Sequence, residues 1–228
     1  TYKDVSDATE LQAAVSNSNI KTINFKANIT ANITANRLID LNFGGYKLTG
    51  NVTINTSEAG SMTINGSGDT SITGNLTVNA PNASVTNKVK VGGDIVIQAV
   101  AKGTWNEEAD GNKLDIQITD GGVINIKGKA DSVTVTKGDE GLSITVSSGG
   151  TVKTLTVNDK ASSIVIEGEV ESAVINASVE VKGGNKIQEA KINTSDVKLD
   201  EAPKKVELGE NVEKVEIGGE PRDQKWIE

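Results

Sequence analysis

The chain has 228 residues, of which 36% are hydrophobic and only 3% aromatic, and it carries a formal net charge of −8. Because it contains no histidine and no cysteine, Ser-His-Asp triads, the commonest zinc sites and thiol nucleophiles are excluded. The acidic balance predicts no nucleic-acid binding, and no apolar stretch approaches the roughly 18 residues that would predict membrane insertion.

The first element predicted along the chain is a short N-terminal capping helix over about residues 7–17. Asp7 and Glu10 have the spacing of a capping box, and Leu11, Ala14 and Val15 form an apolar stripe behind them. A stack of coils leaves an apolar end that needs cover. We therefore expect this helix to lie over the first coil.

A four-residue phrase then recurs along the chain: an apolar residue, a polar one, a β-branched one and Asn. Each copy predicts a very short strand with two inward side chains, and the Asn would take the left-handed backbone conformation at the following corner. The copies are Val52–Asn55, Met62–Asn65, Leu76–Asn79 and Leu155–Asn158, with looser ones at Ala173–Asn176, Ala190–Asn193 and Val215–Gly218.

The C-terminal half predicts how long one coil is. One apolar pattern begins at Val152, Val170, Ile187 and Val212, in steps of 18, 17 and 25 residues, and the longest step would hold an extra strand. Such spacing suits parallel coils, whose crossovers are right-handed by default. An antiparallel sandwich could use the same strands but would not need a repeating unit.

The fold class predicted from these patterns is all-β. We expect a single-stranded, right-handed parallel β-helix, a solenoid of about ten coils, to form one domain over residues 1–228. Residues 100–122 interrupt the alternation, which predicts a protruding loop over about residues 100–113. A C-terminal cap or tail is expected over about residues 219–228, where Trp226 would pack over the end of the stack.

The interruption also holds the candidate binding residues. Trp105, Asn106 and Glu107, together with Tyr46 elsewhere in the chain, combine aromatic faces with the amide and carboxylate groups that bind sugars. Simple packing of Trp105 is the alternative. Glu107, Glu108, Asp110 and Asn112 form a dense group of oxygen ligands that could hold Ca²⁺, although a solvated acidic loop has the same composition. No other cofactor is expected.

Two segments resemble a known family. Val5–Val15 followed by Ile20–Phe25 is similar to the start of pectate-lyase-like adhesive domains of bacterial cell-surface proteins, which often accompany S-layer homology modules. The segment from Ile187 to Glu210 is similar to the closing coils of the same family. The resemblance implies a right-handed β-helix, export, and a role in surface attachment or carbohydrate contact. It supplies no catalytic residue.

We therefore expect a non-enzymatic module of a secreted bacterial protein, located at the cell surface or in the S-layer. Its partners would be a polysaccharide, a cell-wall glycan or another surface protein, and the module would be monomeric within a larger multi-domain protein. Two alternatives remain open. One is a polysaccharide-active enzyme like pectate lyase, and the other is a purely structural spacer or stalk of an S-layer protein.

Overall fold

The computed structural model describes residues 1–101 and 105–227. Its helices are α1 (Ala8–Ser16) and α2 (Gln224–Ile227), with a 3₁₀ turn at Gly184–Lys186. The strands in chain order are β1 (Tyr2–Val5), β2 (Thr22–Phe25), β3 (Ile29–Thr30), β4 (Ile33–Ala35), β5 (Asp40–Asn42), β6 (Leu48–Thr49), β7 (Val52–Asn55), β8 (Gly60–Asn65), β9 (Leu76–Ala80), β10 (Ala83–Asn87), β11 (Asp94–Val100), β12 (Trp105–Glu107), β13 (Lys113–Gln117), β14 (Gly122–Ile126), β15 (Lys129–Lys137), β16 (Leu142–Val146), β17 (Thr151–Val157), β18 (Ser163–Ile166), β19 (Glu169–Ile175), β20 (Val179–Lys182), β21 (Ile187–Ile192), β22 (Val197–Leu199), β23 (Lys205–Leu208), β24 (Val215–Ile217) and β25 (Glu220–Arg222). Within the described ranges, no helix is long and apolar enough to cross a membrane.

The strands form two long sheets that face each other. The 13-stranded sheet has the order β1-β2-β5-β8-β10-β12-β14-β16-β18-β20-β22-β24-β25, and the 10-stranded sheet runs β23-β21-β19-β17-β15-β13-β11-β9-β7-β4. The described neighbours pair in parallel, apart from the antiparallel pair β24–β25. From β7 to β24 the chain alternates between these two sheets, whereas β3 and β6 form a separate two-stranded sheet. The predicted parallel solenoid is confirmed, with about 11 turns instead of ten.

The core lies between the sheets and follows the two-residue period of a strand. In β16, for example, Leu142, Ile144 and Val146 are buried whereas Ser143 and Thr145 are half-buried on the outside. Stacking such strands in register places aliphatic residues over aliphatic residues, and β-branched side chains pack well on a pleated surface. A thin interior can therefore be filled with few aromatic side chains.

The repeated phrases stack on one another where they share a sheet. The phrase at Val52–Asn55 in β7 pairs residue by residue with the phrase at Leu76–Asn79 in β9. Leu155, Ala173 and Ala190 likewise occupy equivalent positions in β17, β19 and β21. The phrase is therefore a unit of coil-to-coil packing, as predicted.

In the predicted series of repeats that begin at Val152, Val170, Ile187 and Val212, the last repeat is assigned to the wrong sheet. Ala190 pairs with Val206 of β23, only 16 residues further on, whereas Val215 belongs to β24 in the opposite sheet. The final coil consequently has no extra strand. Both sheets need two inward apolar residues per strand, so the same phrase occurs on both and does not reveal to which sheet a copy belongs.

The prediction of a left-handed corner at the end of each phrase is wrong for the copies that end in Asn and correct for the last copy, whose Gly218 has a φ of +65°. Among the described residues, only glycines have a positive φ. The Asn side chains bond from coil to coil instead. Asn193 Nδ2 donates to Asn176 Oδ1 at 2.7 Å, and Asn176 Nδ2 donates to Asn158 Oδ1 at 2.8 Å. These ladders satisfy amide groups where the strands end.

Glycine is required where the backbones of successive coils meet most closely. The N–H of Gly74 donates to the carbonyl of Gly50 at 2.9 Å, and the N–H of Gly93 donates to Gly74 at 2.9 Å. A Cβ added at Gly74 would lie 2.5 Å from the Gly50 carbonyl oxygen and 2.2 Å from Asn51 Oδ1. The backbones at this corner can therefore approach only without a side chain.

The N-terminal helix forms as predicted and covers the first coil. Asp7 is its N-cap and accepts from the N–H of Glu10 at 2.9 Å, while Glu10 accepts from the N–H of Ser6 at 2.7 Å. The residues buried beneath it are Leu11, Ala14 and Val15. The capping box and the apolar stripe thus fix where the helix starts and which side it buries.

Arg37 holds the other end of this helix, a role that the sequence did not reveal. Its guanidinium is buried and donates to the carbonyls of Val15 at 3.1 Å, Ala14 at 3.0 Å and Ile20 at 2.5 Å. These are carbonyls at and just beyond the end of α1, where intrahelical partners run out. A cation here also interacts favourably with the helix dipole.

We expect Arg37→Met to lower the free energy of unfolding by about 2–3 kcal/mol, because three carbonyls, two of them buried, lose a charged donor. Urea denaturation followed by circular dichroism measures the change. Lys21→Met is the control, since Lys21 is exposed. Equal midpoints for the two variants would show that the guanidinium does not hold the helix.

The C-terminal end is formed by β25 and α2. Strand β25 turns back against β24 and carries a proline, Pro221, at an edge where unpaired strands would otherwise be exposed. The guanidinium of Arg222 lies 5.1 Å from the centre of the Trp226 ring, which is 37% exposed. Residue 228, the last of the predicted cap, lies outside the described residues.

Candidate functional site

The residues predicted to form a protruding loop instead belong largely to the solenoid. Residues 105–107 form strand β12, which lies between β10 and β14 in the 13-stranded sheet. Residues 102–104 of the predicted loop lie outside the described residues. The prediction of a loop is therefore wrong for β12, because Trp105 and Glu107 continue the inward side of the two-residue period.

Trp105 is fully buried, so its ring is not available as a platform for a sugar. It stacks in the inward column of the sheet between Val85 and Ile124, and its indole N–H donates to Glu107 Oε2 at 3.0 Å. The alternative, that Trp105 is a packing residue, is the correct one. The aromatic ring fills one coil of an otherwise aliphatic core.

Glu107 is buried in the same strand and is surrounded by donors. Its Oε1 accepts from Asn87 Nδ2 and from Asn112 Nδ2, each at 2.8 Å. Those two amides also bond to the backbone around Val89 and Val91, with Asn112 Oδ1 accepting from the N–H of Val91 at 2.8 Å. The cluster thus satisfies backbone groups at a buried corner.

Burial raises the pKa of Glu107 to about 7, and the hydrogen bonds from Asn112, Trp105, Asn87 and the Ala109 backbone only partly oppose this increase. Sequence reasoning missed Asn87 as a member of the cluster. The signal was available, since Asn87 lies at an inward position of the pattern Val85-x-Asn87-x-Val89.

The four predicted calcium ligands are not brought together. Glu107 and Asn112 face the interior, whereas Glu108 is exposed and lies 3.5 Å from Lys88 Nζ and 3.9 Å from Lys127 Nζ. Asp110 is also exposed, and its Oδ1 accepts from the N–H of Lys129 at 2.8 Å. Within residues 1–101 and 105–227, no group of three or more Asp or Glu side chains could hold a metal ion.

Tyr46 and Asn106 remain accessible but are far apart along the sheet. Tyr46 is 40% exposed in the turn between β5 and β6. Asn106 lies on the outer side of β12, which is three strands from β5 in the sheet. The structure therefore does not assemble the predicted carbohydrate contacts into one site. It places Asn106 among a different set of neighbours.

Asn106 belongs to a row of uncharged polar side chains, which we call the polar column. The row occupies equivalent outward positions of five adjacent strands, β8 to β16, and each member is half-buried. At a strand spacing of about 4.8 Å, it is about 19 Å long. Its members are Thr63, Thr86, Asn106, Asn125 and Thr145, and Asn125 Nδ2 donates to Asn106 Oδ1 at 3.1 Å.

The surroundings of the polar column differ on its two sides. Serines, including Ser61, Ser84 and Ser143, flank it on one side. The charged side chains of Lys88, Glu108 and Lys127 flank it on the other. Both lysines pair with Glu108. The column itself is a neutral array of hydroxyl and amide groups on a regular sheet, because none of its members carries a charge.

A groove of about 670 Å³ lies further along the same sheet, beside β18 to β25. Serine hydroxyls line it, and the charged residues Glu180, Lys198 and Glu216 follow one another on adjacent strands. Lys198 Nζ lies 3.8 Å from Glu216 Oε2. The groove thus has an alternating-charge lining, unlike the neutral polar column.

Comparison with known proteins gives one match. A family model described as a pectate lyase-like adhesive domain matches residues 2–139, which is more than half of the chain and includes most of the polar column. No curated protein and no solved structure gives a significant match.

Proposed function

We propose, from the premise that the chain belongs to the pectate lyase-like adhesive domain family, that it is a non-enzymatic adhesive module. Its polar column would hold an uncharged polysaccharide that lies along the solenoid axis. The observation that carries this proposal is the register of the column, which repeats hydroxyl and amide groups on five adjacent strands.

The chemistry of the column favours a neutral polymer. Threonine hydroxyls and asparagine amides both donate and accept hydrogen bonds, as sugar hydroxyls do. Each contact at a hydrated surface contributes little, but a polymer meets several of them at once and their effects combine. A charged polymer would gain no charge pairing from the column itself, because its members carry no charge.

Neither of the two arginines is available as the base of a lyase, and the lysines that line the groove beside β18 to β25, Lys198 and Lys214, leave the lyase alternative to the experiment below. A lyase of the β-helix type would need a basic residue beside carboxylates in a groove. The guanidinium of Arg37 is buried against helix carbonyls. Arg222 lies over Trp226, and its Nη2 is 2.9 Å from Glu220 Oε2 at the C-terminal end. Neither arginine is therefore placed for proton abstraction from a bound sugar.

The family name implies a role at an exposed surface. We extend this to a secreted bacterial protein in which the module is displayed at the cell surface or in an S-layer. The polar column lies on the long side of the solenoid, so it would stay accessible when further modules adjoin either end of the stack. Another surface protein as partner, and a purely structural spacer, are the alternatives that the experiment below separates from polysaccharide binding.

We expect the chain to be retained on at least one insoluble neutral polysaccharide among cellulose, chitin and β-glucan. Thr86→Lys, which places a charge in the column, should reduce retention at least tenfold. Because the contacts are uncharged, retention of the wild type should change little between low and high salt. A pull-down with quantification of the bound fraction measures both effects.

Thr77→Lys is the matched control, since Thr77 occupies an outward, half-buried position in the other sheet. It should be retained like the wild type. Equal losses for the two lysine variants would contradict a site on the polar column. Failure of the wild type to bind any of the three polysaccharides would leave the protein-binding or spacer role, and release of unsaturated sugars from polygalacturonate would establish the lyase alternative.

A further inference from the structure

The groove beside β18 to β25, which we call the C-terminal groove, crosses the beginnings of adjacent strands. Val179, Val197 and Val215 are the buried first residues of β20, β22 and β24, and all three line the groove. Exposed side chains lie in one row before these valines and in a second row after them. The first row is Ser178, Asp196 and Lys214, and the second is Glu180, Lys198 and Glu216.

The C-terminal groove has the size and shape of a site for an elongated ligand. Its volume of about 670 Å³ lies within the usual range for ligand sites, about 300–1,000 Å³. From β18 to β24 it crosses three strand spacings, or about 14 Å. Gly219 and Pro221, from the hairpin of β24 and β25, line its C-terminal end. A ligand that fills it would therefore lie along the solenoid axis.

The charges that line the groove are only partly paired. Lys198 Nζ lies 3.8 Å from Glu216 Oε2, and Glu140 Oε1 lies 3.4 Å from Lys160 Nζ. Among the described residues, no ion pair or side-chain hydrogen bond involves the other three charged residues of the lining, Glu180, Asp196 and Lys214. Two carboxylates and one ammonium group are thus left for a ligand. Their net negative charge is complementary to a cation.

Serine hydroxyl groups in the groove are also left without partners. Ser162, Ser178 and Ser195 are exposed, and their hydroxyl groups form no hydrogen bond within the part of the chain that the structure describes. A hydroxyl group both donates and accepts, so it suits a ligand that is itself rich in hydroxyl groups. None of the described lining residues is aromatic. Recognition would therefore rest on charge and hydrogen bonds and not on ring stacking.

A sugar chain fits these observations better than a peptide does. Each of β18, β20, β22 and β24 is paired with a strand on both sides, so a peptide could not bind here as an additional strand. The groove also offers no aromatic pocket that would hold a peptide side chain. A sugar chain needs neither, because its hydroxyl and amino groups can bond directly to exposed serine and carboxylate side chains.

We propose that the C-terminal groove binds a cationic amino-sugar oligomer, of the kind that glucosamine forms. Its ammonium groups bind the carboxylates of Glu180 and Asp196, and its hydroxyl groups bond to Ser178, Ser195 and Lys214. The site is separate from the polar column and takes a ligand of different charge. It lies beyond residues 2–139, which match the family model, and it does not depend on the adhesive role.

The test is isothermal titration calorimetry of the whole chain with the glucosamine tetramer at low salt and pH 5.5. At this pH the amino groups of the ligand are protonated and exposed carboxylates are ionised. We expect the double variant Glu180→Gln/Asp196→Asn to bind about tenfold more weakly, since one exposed ion pair contributes up to about fivefold. High salt should weaken binding to the wild type, because the site is exposed.

The double variant Glu169→Gln/Glu171→Gln is the matched control. Both residues are exposed on β19 of the opposite sheet, and their replacement removes the same net charge from the protein. This control should bind the glucosamine tetramer like the wild type. Equal losses for the two double variants would show that the ligand responds only to the overall charge, and this result would overturn the proposal.

Two other ligands test which chemistry the groove recognises. The N-acetylglucosamine tetramer has no ammonium groups and should bind at least about fivefold more weakly than the glucosamine tetramer. Tetralysine has the positive charge without the hydroxyl groups, so Ser178→Ala/Ser195→Ala should weaken binding of the glucosamine tetramer alone. Tetralysine that binds as tightly as the glucosamine tetramer would identify a basic peptide as the occupant and overturn the proposal. Absence of binding of the glucosamine tetramer to the wild type would do the same.

Discussion

Trp105→Ala is expected to lower the free energy of unfolding by about 3–5 kcal/mol, the range for removing a large aromatic side chain from a packed core. The Trp105 side chain is 0% exposed and lies between Val85 and Ile124 in adjacent strands. Its loss would leave a cavity beside Glu107, which would also lose the indole N–H as a donor. Urea or guanidinium denaturation measures the change.

Trp226→Ala provides the matched control, because Trp226 is 37% exposed at the C-terminal end. Its effect should stay within about 1 kcal/mol, as is usual for partly exposed residues. If Trp105→Ala kept wild-type stability but no longer bound polysaccharide, the ring would be a sugar contact after all. If both variants were equally destabilised, the burial of Trp105 would not be the cause.

Gly74→Ala should reduce stability by about 3 kcal/mol, because the new methyl group has no room between two coils. A Cβ at this position would lie 2.2 Å from Asn51 Oδ1 and 2.5 Å from the carbonyl oxygen of Gly50. Relief of these contacts would require moving the backbone and stretching the 2.9 Å hydrogen bond between Gly74 and Gly50. The shift in the denaturation midpoint is the readout.

Gly45→Ala is the control for this variant. A Cβ at Gly45 would have no atom within 4 Å, and its φ lies outside the left-handed region. Alanine there should leave stability unchanged or increase it slightly, since the unfolded chain becomes less flexible. Similar losses for Gly45→Ala and Gly74→Ala would show that coil spacing at Gly74 does not depend on the missing side chain.

The sequence was sufficient to predict the fold, because the alternation of apolar and polar residues along a strand follows directly from which side chains are buried. In β9 or β16, every second residue is apolar for the same reason that it is inward, so the pattern predicts both. The capping box at Asp7 and Glu10 predicted the start of α1 equally well. The sheet to which Val215 belongs could not be predicted, since corners of different length connect strands with the same requirements.

The interior cluster was harder to predict for a different reason. Trp105 and Glu107 are two residues apart, as inward residues of one strand are. A glutamate is rarely fully buried without hydrogen-bond partners, so its burial could not be predicted before those partners were identified. Those partners, Asn87 and Asn112, lie 20 and 5 residues away and meet Glu107 only when the coils stack. Polar residues around an aromatic one therefore suggested a loop, although they form part of the core.

The order of the strands also determines how the module would respond to tension. Hydrogen bonds between coils run along the solenoid axis, and the first and last coils lie at opposite ends of the stack. A pull along that axis passes through every coil boundary in series, because each coil contacts only its neighbours. The boundary with the weakest packing therefore sets the force at which the stack opens.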